Sequence, residues 1–197
     1  MGKTFPRRFL FAADRLTIRT LVSSFSRPLF MIILLMGVSG SGKTKIGDAL
    51  ASREGWIFAD ADDFHSAENK QKMAGGNALT DADRAPWLAA LQSQISAWLA
   101  KKQSAVLACS ALKQNYREAL LIHPDVRAVY LKGPYELIAS RLRERGSHYA
   151  TESLLSSQFT TLEEPSDAIT IDVNQPPEKI VDEISFRLNL SKGPHAQ

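Results

Sequence analysis

Residues 37–44 read Gly37-Val38-Ser39-Gly40-Ser41-Gly42-Lys43-Thr44, and this stretch decides the fold of the chain. It fits the phosphate-loop pattern G-x-x-x-x-G-K-[ST] at every fixed position. The apolar run 31–36 in front of it has the composition of a strand buried on both faces, and a helix is predicted behind it at 45–53. In that context glycines let backbone N–H groups close around phosphates, and the helix N-terminus adds positive potential.

The alternative for residues 37–44 is a flexible glycine turn before a core helix. We favour the phosphate loop because eight residues and both flanking segments agree. The backbone amides from Gly37 to Thr44 are then predicted to bind the phosphates of ATP. Lys43 is predicted to reach the outer phosphates, and the Thr44 hydroxyl is predicted to bind Mg²⁺.

Composition and charge narrow the class of protein. The chain has 197 residues, 44% of them hydrophobic, which is enough for one core. Residues 1–30 hold six basic residues and one acidic residue, so the remainder has 18 basic and 20 acidic residues. The remainder lacks the basic stripe that a nucleic-acid partner requires. No apolar run approaches the roughly 20 residues of a membrane helix, so we expect neither nucleic acid nor a membrane as a partner.

The sequence divides into three segments. Residues 31–190 form the predicted domain, and residues 191–197 form a short tail. Residues 1–30 are rich in Arg, Ser and Phe, which is typical of an organelle transit peptide. The alternatives are a disordered tail or translated upstream sequence with Met31 as the true start, and we favour these because Met31 directly opens the first strand. Cys109 is the only cysteine, so no disulfide forms within the chain and we expect a reducing compartment, the cytoplasm.

Carboxylates gather where the second predicted strand, 56–59, ends. The segment Asp60-Ala61-Asp62-Asp63-Phe64-His65 places three carboxylates within four residues, and such packing is costly without a cation. The carboxyl ends of strands are also where open α/β sheets bind ligands. A solvated acidic loop is the alternative. Beside a phosphate loop, we favour a role in binding Mg²⁺ and substrate.

Strands and helices alternate along the whole predicted domain. Further strands are predicted at 104–109, 126–131 and 168–173, with helices between them. This alternation requires parallel pairing with right-handed crossovers, hence a doubly wound α/β fold with a five-stranded sheet between helical layers. A capping box at 80–83 opens the longest helix. Its predicted core positions, at helical spacing, are Leu88, Leu91, Ile95 and Trp98 or Leu99.

Several cationic side chains are candidates for binding anions. An ordinary solvated surface is the alternative for each of them. Lys113 and Arg117 follow the carboxyl end of a strand, which favours contact with an anionic substrate, and the arginine cluster before Gly146 suits a lid that closes over phosphates. Arg84 lies at the start of the longest helix, where its guanidinium is a candidate to point at an anionic substrate. These candidates are Arg84, Lys113, Arg117, Arg141, Arg143 and Arg145.

Four further segments accompany the phosphate loop. They are Asp60–His65, Asp83-Arg84-Ala85-Pro86-Trp87-Leu88, Ala108-Cys109-Ser110-Ala111-Leu112-Lys113 with Tyr116-Arg117, and Ser157-Gln158-Phe159 with Leu162-Glu163-Glu164-Pro165. With these segments the chain closely resembles the small P-loop gluconokinases from Met36 to about Pro165. It departs from the family in the lid, where Gly146-Ser147-His148-Tyr149 replaces the usual Gly-His-Phe.

The resemblance implies an ATP-dependent kinase that phosphorylates D-gluconate at its 6-hydroxyl, on an adenylate-kinase-like fold with a mobile lid, as a homodimer. It places Mg²⁺ on Thr44 and Asp60. By analogy with the Asp-x-Asp segment of shikimate kinases, Asp62 orients the substrate hydroxyl and accepts its proton. Arg141 and Arg145 close with the lid over the nucleotide. The implied substrate ligands are Asp62, His65, Arg84, Lys113, Arg117 and Gln158.

Two rival functions stay open at this point. One is another small P-loop kinase, acting on shikimate or a nucleoside monophosphate. A nucleotide acceptor needs aromatic or apolar platforms for its base, whereas the candidate ligands are polar and charged, as a polyol acid requires. The other rival is a nucleotide-binding regulatory protein without transfer activity. Retention of Asp60, Asp62, Arg84 and Lys113 opposes it, because a protein that only binds nucleotide needs no acceptor site.

Overall fold

The computed structural model describes residues 30–144 and 149–190, the side chains of 149–152 excepted. It confirms the predicted α/β fold: the sheet has five parallel strands in the order β2-β3-β1-β4-β5. No helix in these ranges is long and apolar enough to cross a membrane. The strands are β1 (Ile32–Met36), β2 (Ile57–Asp60), β3 (Ala105–Ala108), β4 (Val126–Lys132) and β5 (Ile169–Asp172). The helices are α1 (Lys43–Glu54), α2 (Ala67–Ala74), α3 (Asp81–Ala100), α4 (Gln114–Leu120), α5 (Tyr135–Glu144), α6 (Tyr149–Thr161) and α7 (Pro177–Arg187).

The central strand β1 is buried along its whole length. Its side chains alternate between two cores because successive strand residues point to opposite faces. Ile33 and Leu35 lie in the core on the side of α1 and α7. Ile32, Leu34 and Met36 lie in the core on the side of α3. Both faces are therefore covered, which explains why β1 is an unbroken apolar run and places its carboxyl end, the phosphate loop, at the edge where ligands bind.

Helix α3 carries a buried stripe that differs by one residue from the predicted one. Leu91, Ile95 and Trp98 are buried as predicted, but Leu88 and Leu99 are only partly buried. Trp87 takes the place of Leu88 at the helix start, and its indole Nε1 donates a hydrogen bond of 2.7 Å to the carbonyl of Ala61. The bond satisfies the buried indole and ties α3 to the acidic segment after β2.

The capping box at the start of α3 supports a stability prediction. Thr80 Oγ1 accepts from the Asp83 amide at 3.2 Å, and Asp83 Oδ2 accepts from the Thr80 amide at 2.9 Å. Hydrogen bonds from Lys72 and then from Thr80 lower the pKa of Asp83 to about 2. We expect Thr80→Ala to cost about 1 kcal/mol of unfolding free energy in urea titrations, because a helix donor loses its partner. Ser96→Ala is the control, since the Ser96 hydroxyl donates within α3, to the carbonyl of Gln92. An equal loss there would contradict the capping argument.

Candidate active site

The phosphate loop connects β1 to α1 and is fixed by close packing. Gly40 has φ +84°, and a Cβ there would lie 2.9 Å from side-chain atoms of Ile138 and Leu142 on α5. Gly37 has φ +148°, and a Cβ there would lie 2.8 Å from the carbonyl oxygen of Leu131 on β4. Only glycine satisfies both the backbone conformation and the space at these two positions. The loop backbone is therefore held in place by the neighbouring strand and helix.

Lys43 lies across the loop. Its Nζ donates to the carbonyls of Gly37 at 3.0 Å and Val38 at 3.1 Å. Burial lowers the pKa of Lys43, while the charges of Asp62 and Asp60 act in the opposite direction. The Lys43 ammonium is thus bound within the loop, and it shares a cleft with the carboxylates at the end of β2.

Thr44 and Asp60, the two residues predicted to hold Mg²⁺, are brought together. Thr44 Oγ1 donates to Asp60 Oδ2 at 2.9 Å, and Asp60 Oδ1 accepts from the amide of Asp62 at 3.1 Å. A hydroxyl oxygen and a carboxylate oxygen are hard donors of the kind that Mg²⁺ uses together with phosphate oxygens and waters. This pair fits a magnesium ion bound between protein and nucleotide.

Asp62 lies with Lys43, Thr44 and Asp60 in a cleft of about 480 Å³. Its side chain is exposed on the open cleft, yet the surrounding protein removes enough water from the carboxylate to raise its pKa. The negative charge of Asp60 adds to this rise in pKa, and the charges of His65 and Lys43 oppose it. A carboxylate with a raised pKa beside a phosphate loop is suited to accept a proton.

His65 adjoins Asp62 and is held flat against a tryptophan. The imidazole stacks on the indole of Trp87, with ring centroids 4.6 Å apart and an interplanar angle of 8°. Burial lowers the pKa of His65, which favours the neutral ring, and Arg84 contributes to the same shift. Its buried Nδ1 has no hydrogen-bond partner among the described residues. A ligand hydroxyl would satisfy this atom.

Arg84 and Lys113, two predicted substrate ligands, converge on a carboxylate that the sequence analysis did not select. Lys113 Nζ donates to both Asp81 oxygens at 3.0 Å, and Tyr116 OH donates to Asp81 Oδ1 at 2.5 Å. The Arg84 guanidinium lies 3.8 Å from the same oxygen and 5.8 Å from the Tyr116 ring. These hydrogen bonds lower the pKa of Asp81 and raise that of Lys113. Asp81 therefore orients cations on α3 and beside α4 toward one point.

Arg117 is placed differently from the other predicted substrate ligands. It is buried, and its Nη1 donates to the carbonyls of Ala111 at 3.2 Å and Leu112 at 3.0 Å. Ala111 has φ +43°, so the loop after β3 adopts an uncommon conformation. The guanidinium holds this loop, on which Lys113 lies, and substrate contact by Arg117 stays a prediction.

The structure describes only part of the segment that was predicted to form a lid. Arg141 Nη2 donates to the carbonyl of Val173, after β5, at 2.8 Å. Gln158 on α6 hydrogen bonds to Ser39 of the phosphate loop. Arg145, residues 146–148 and the Tyr149 side chain, to which the sequence analysis gave lid roles, lie outside the described residues and side chains.

Together these features define a class of protein. A glycine loop after the first strand of a parallel sheet, a lysine that lies across that loop, a Thr–Asp pair and a further carboxylate in the same cleft are the parts of a P-loop kinase. The family model described as "Shikimate kinase" matches residues 39–189. The thermoresistant gluconokinase of Escherichia coli (strain K12) is 40% identical over 76% of this chain and 89% of its own length. The gluconokinase of Arabidopsis thaliana is 42% identical over 78% and 89%.

A solved structure agrees with these relatives. The crystal structure of a gluconokinase from Sinorhizobium meliloti 1021 is 39% identical, with a TM-score of 0.74 over 83% of this chain and 94% of that one. The chain belongs to the gluconokinase family of P-loop kinases. It is a phosphotransferase that uses ATP.

Proposed function

We propose that this kinase transfers the γ-phosphoryl group of ATP to the 6-hydroxyl of D-gluconate, giving 6-phospho-D-gluconate. The observation that carries the proposal is the position of Asp62. Its carboxylate lines the same cleft as Lys43 of the phosphate loop, and the positive charges of His65 and Lys43 act against the rise in its pKa. One proton acceptor thus lies between a phosphate-binding loop and a group of side chains suited to a hydroxylated anion.

Each part of the site has a role in this reaction. The amides of the phosphate loop bind the phosphates, and Lys43 neutralises charge that develops on the transferred group. Asp62 orients the substrate hydroxyl and accepts its proton as the oxygen attacks phosphorus. Mg²⁺, which we propose on Thr44 and Asp60, supplies further charge neutralisation to the outer phosphates. Arg141, and Arg145 with it, are proposed to close over the nucleotide and to exclude water.

The acceptor side matches the chemistry of gluconate, a carboxylate with five hydroxyl groups. Arg84 and Lys113 are the proposed partners of the carboxylate. Lys113 already bonds to one carboxylate, that of Asp81, and the Arg84 guanidinium lies 3.8 Å from the same group. His65 offers its unsatisfied Nδ1 to a hydroxyl. We propose that Arg117 supports Lys113 by holding the loop on which it lies.

The decisive experiment is a coupled assay of ADP release with magnesium and ATP, comparing D-gluconate, shikimate, AMP and no acceptor. We expect strong release with gluconate alone. Release with shikimate or AMP instead would identify a different P-loop kinase. ATP binding without release in any reaction would favour a regulatory nucleotide-binding protein.

Arg84→Ala tests the acceptor side. We expect KM for gluconate to rise roughly 10- to 100-fold, because a charged hydrogen bond to the substrate carboxylate is lost, with KM for ATP unchanged. Arg127→Ala is the control, because Arg127 is an exposed arginine near the start of β4 and does not line the cleft. A rise in KM for ATP of the same size would contradict the role of Arg84 in binding gluconate.

We further propose that the protein is a cytoplasmic homodimer. The dimer is implied by the resemblance to small gluconokinases, and light scattering of the purified chain measures it directly. The single cysteine, Cys109, is buried, which is compatible with a reducing compartment. Fractionation of cells that express the full chain would test the location.

A further inference from the structure

Gln158 makes two hydrogen bonds that its predicted role as a substrate ligand does not explain. Its Oε1 accepts from the Ser39 amide at 2.6 Å, and its Nε2 donates to Ser39 Oγ at 3.1 Å. Both bonds join a side chain of α6 to one residue of the phosphate loop, 119 positions earlier in the chain. Both the oxygen and the nitrogen of the Gln158 amide group are thus bonded to the loop.

The rest of the loop apex is packed from a second side. Val38 lies in a small core with Ile138 and Leu155, which join α5 to α6. Ile138 and Leu142 also close the space above Gly40. Ser39 therefore lies between two residues that are held by packing, Val38 and Gly40. Gln158 on α6 makes the polar contacts of Ser39.

Ser39 borders the place where the outer phosphates bind. In a phosphate loop the lysine ammonium marks that place. Lys43 Nζ lies 3.0 Å and 3.1 Å from the carbonyls of Gly37 and Val38, which directly precede Ser39. A side chain that hydrogen bonds to Ser39 is therefore at the γ-phosphate end of the loop, whereas Thr44 lies at the helix end.

We propose that Gln158 is a positioning residue that holds Ser39 and thereby couples helix α6 to the γ-phosphate of ATP. The proposal rests on the kinase function for the identity of the nucleotide. An amide suits this position because it offers one acceptor and one donor to Ser39 without placing a charge beside the phosphates. The loop backbone at Ser39 is consequently fixed before the nucleotide binds, which lowers the ordering cost of binding.

Two substitutions at this position separate geometry from charge. Gln158→Ala removes both bonds, and we expect the affinity for ATP to fall by roughly 3- to 10-fold and the affinity for ADP to fall less, because Ser39 lies at the γ-phosphate end of the loop. Gln158→Glu keeps the shape and the acceptor but adds a negative charge at the γ-phosphate end. We expect Gln158→Glu to weaken the binding of ATP at least about fivefold more than the binding of ADP, because the γ-phosphate is the charge nearest to the new carboxylate.

The measurement is calorimetric titration of the full-length protein with magnesium and ATP or ADP, without acceptor, followed by steady-state kinetics. Gln92→Ala and Gln92→Glu are matched controls, because Gln92 is an exposed glutamine whose amide bonds to the carbonyl of Ala119, away from the loop. We expect the Gln92 variants to bind both nucleotides like the wild type. KM for gluconate is expected to stay unchanged in the Gln158 variants.

Three outcomes would overturn the proposal. Wild-type affinity for both nucleotides in both Gln158 variants would show that Ser39 needs no support from α6. A rise in KM for gluconate alone would restore Gln158 as a substrate ligand. A lower melting temperature with equal losses for ATP and ADP in Gln158→Glu would indicate a merely structural contact. Because the titration contains no acceptor, it remains valid even if the assay shows that gluconate is not the substrate.

Discussion

Replacing Asp62 with Asn is expected to lower kcat by roughly 10²- to 10⁴-fold, the range attributed to a positioned proton acceptor. The substituted amide has the same shape but does not take a proton. Asp62 lies in the cleft beside Lys43, and burial together with Asp60 raises its pKa. ATP binding is expected to stay close to that of the wild type, because the phosphates are held by the loop and not by this carboxylate.

Asp63→Asn is the matched control for this experiment. Asp63 is the next residue, is exposed, and contributes its backbone carbonyl, not its carboxylate, to the bond from Lys70. We expect its kcat within about twofold of the wild type, as for surface substitutions away from a site. ADP release measured at saturating gluconate and ATP gives kcat for both variants. Equal activity of Asp62→Asn and Asp63→Asn would remove Asp62 from the proposed mechanism.

The fold was predictable because its determinants are local in sequence. The run 31–36, the glycine loop and the strand–helix alternation each have a short-range pattern, and the parallel sheet follows from them. The Thr44–Asp60 contact was also predictable, because both residues follow strand ends that parallel pairing brings to one edge of the sheet. Within α3, periodicity predicted Leu88 as a core residue, and this was wrong because Trp87 is buried there instead. The hydrogen bond from Trp87 to Ala61 decides that, and it depends on tertiary structure.

The parts of the site that sequence did not predict are long-range pairs. Asp81 was assigned to a helix N-terminus, yet its carboxylate holds Lys113, which lies 32 residues later. Gln158 was assigned to the substrate, yet it contacts Ser39. A sequence shows which residue types are present, but it does not show which distant residues form hydrogen bonds or ion pairs with each other. The Asp81 carboxylate next to a predicted anion-binding arginine was the available indication of a counter-ion.

This pairing bears on the proposed acceptor site, in which Arg84 and Lys113 are expected to bind the carboxylate of gluconate. If Arg84 and Lys113 faced the substrate without Asp81, two positive charges would meet one carboxylate. Asp81 offsets part of this charge and fixes the ammonium of Lys113 through two bonds. The net positive charge of the proposed site is then closer to the single negative charge of a monoanionic acid. Its cations are also oriented before the substrate binds.

Lys43→Ala is expected to lower kcat by about 10³-fold or more and to weaken ATP binding as well. The loss exceeds that of an ordinary phosphate contact because the ammonium lies inside the loop, where charge that develops on the transferred phosphoryl group is poorly screened by water. The same ammonium bonds to Gly37 and Val38, so the loop also loses an internal support. ATP titration and steady-state kinetics separate the two effects.

Lys43→Arg separates the effect of charge from that of geometry at this position, and Lys179→Ala is the control. Lys179→Ala removes an exposed lysine of α7 and is expected to be as active as the wild type. Lys43→Arg keeps the positive charge, but its planar guanidinium is larger than the ammonium that fits between two loop carbonyls. We expect Lys43→Arg to recover less than a tenth of wild-type kcat. Full recovery would mean that the site requires only a charge at this point, and that the contacts with Gly37 and Val38 do not position the cation for transfer.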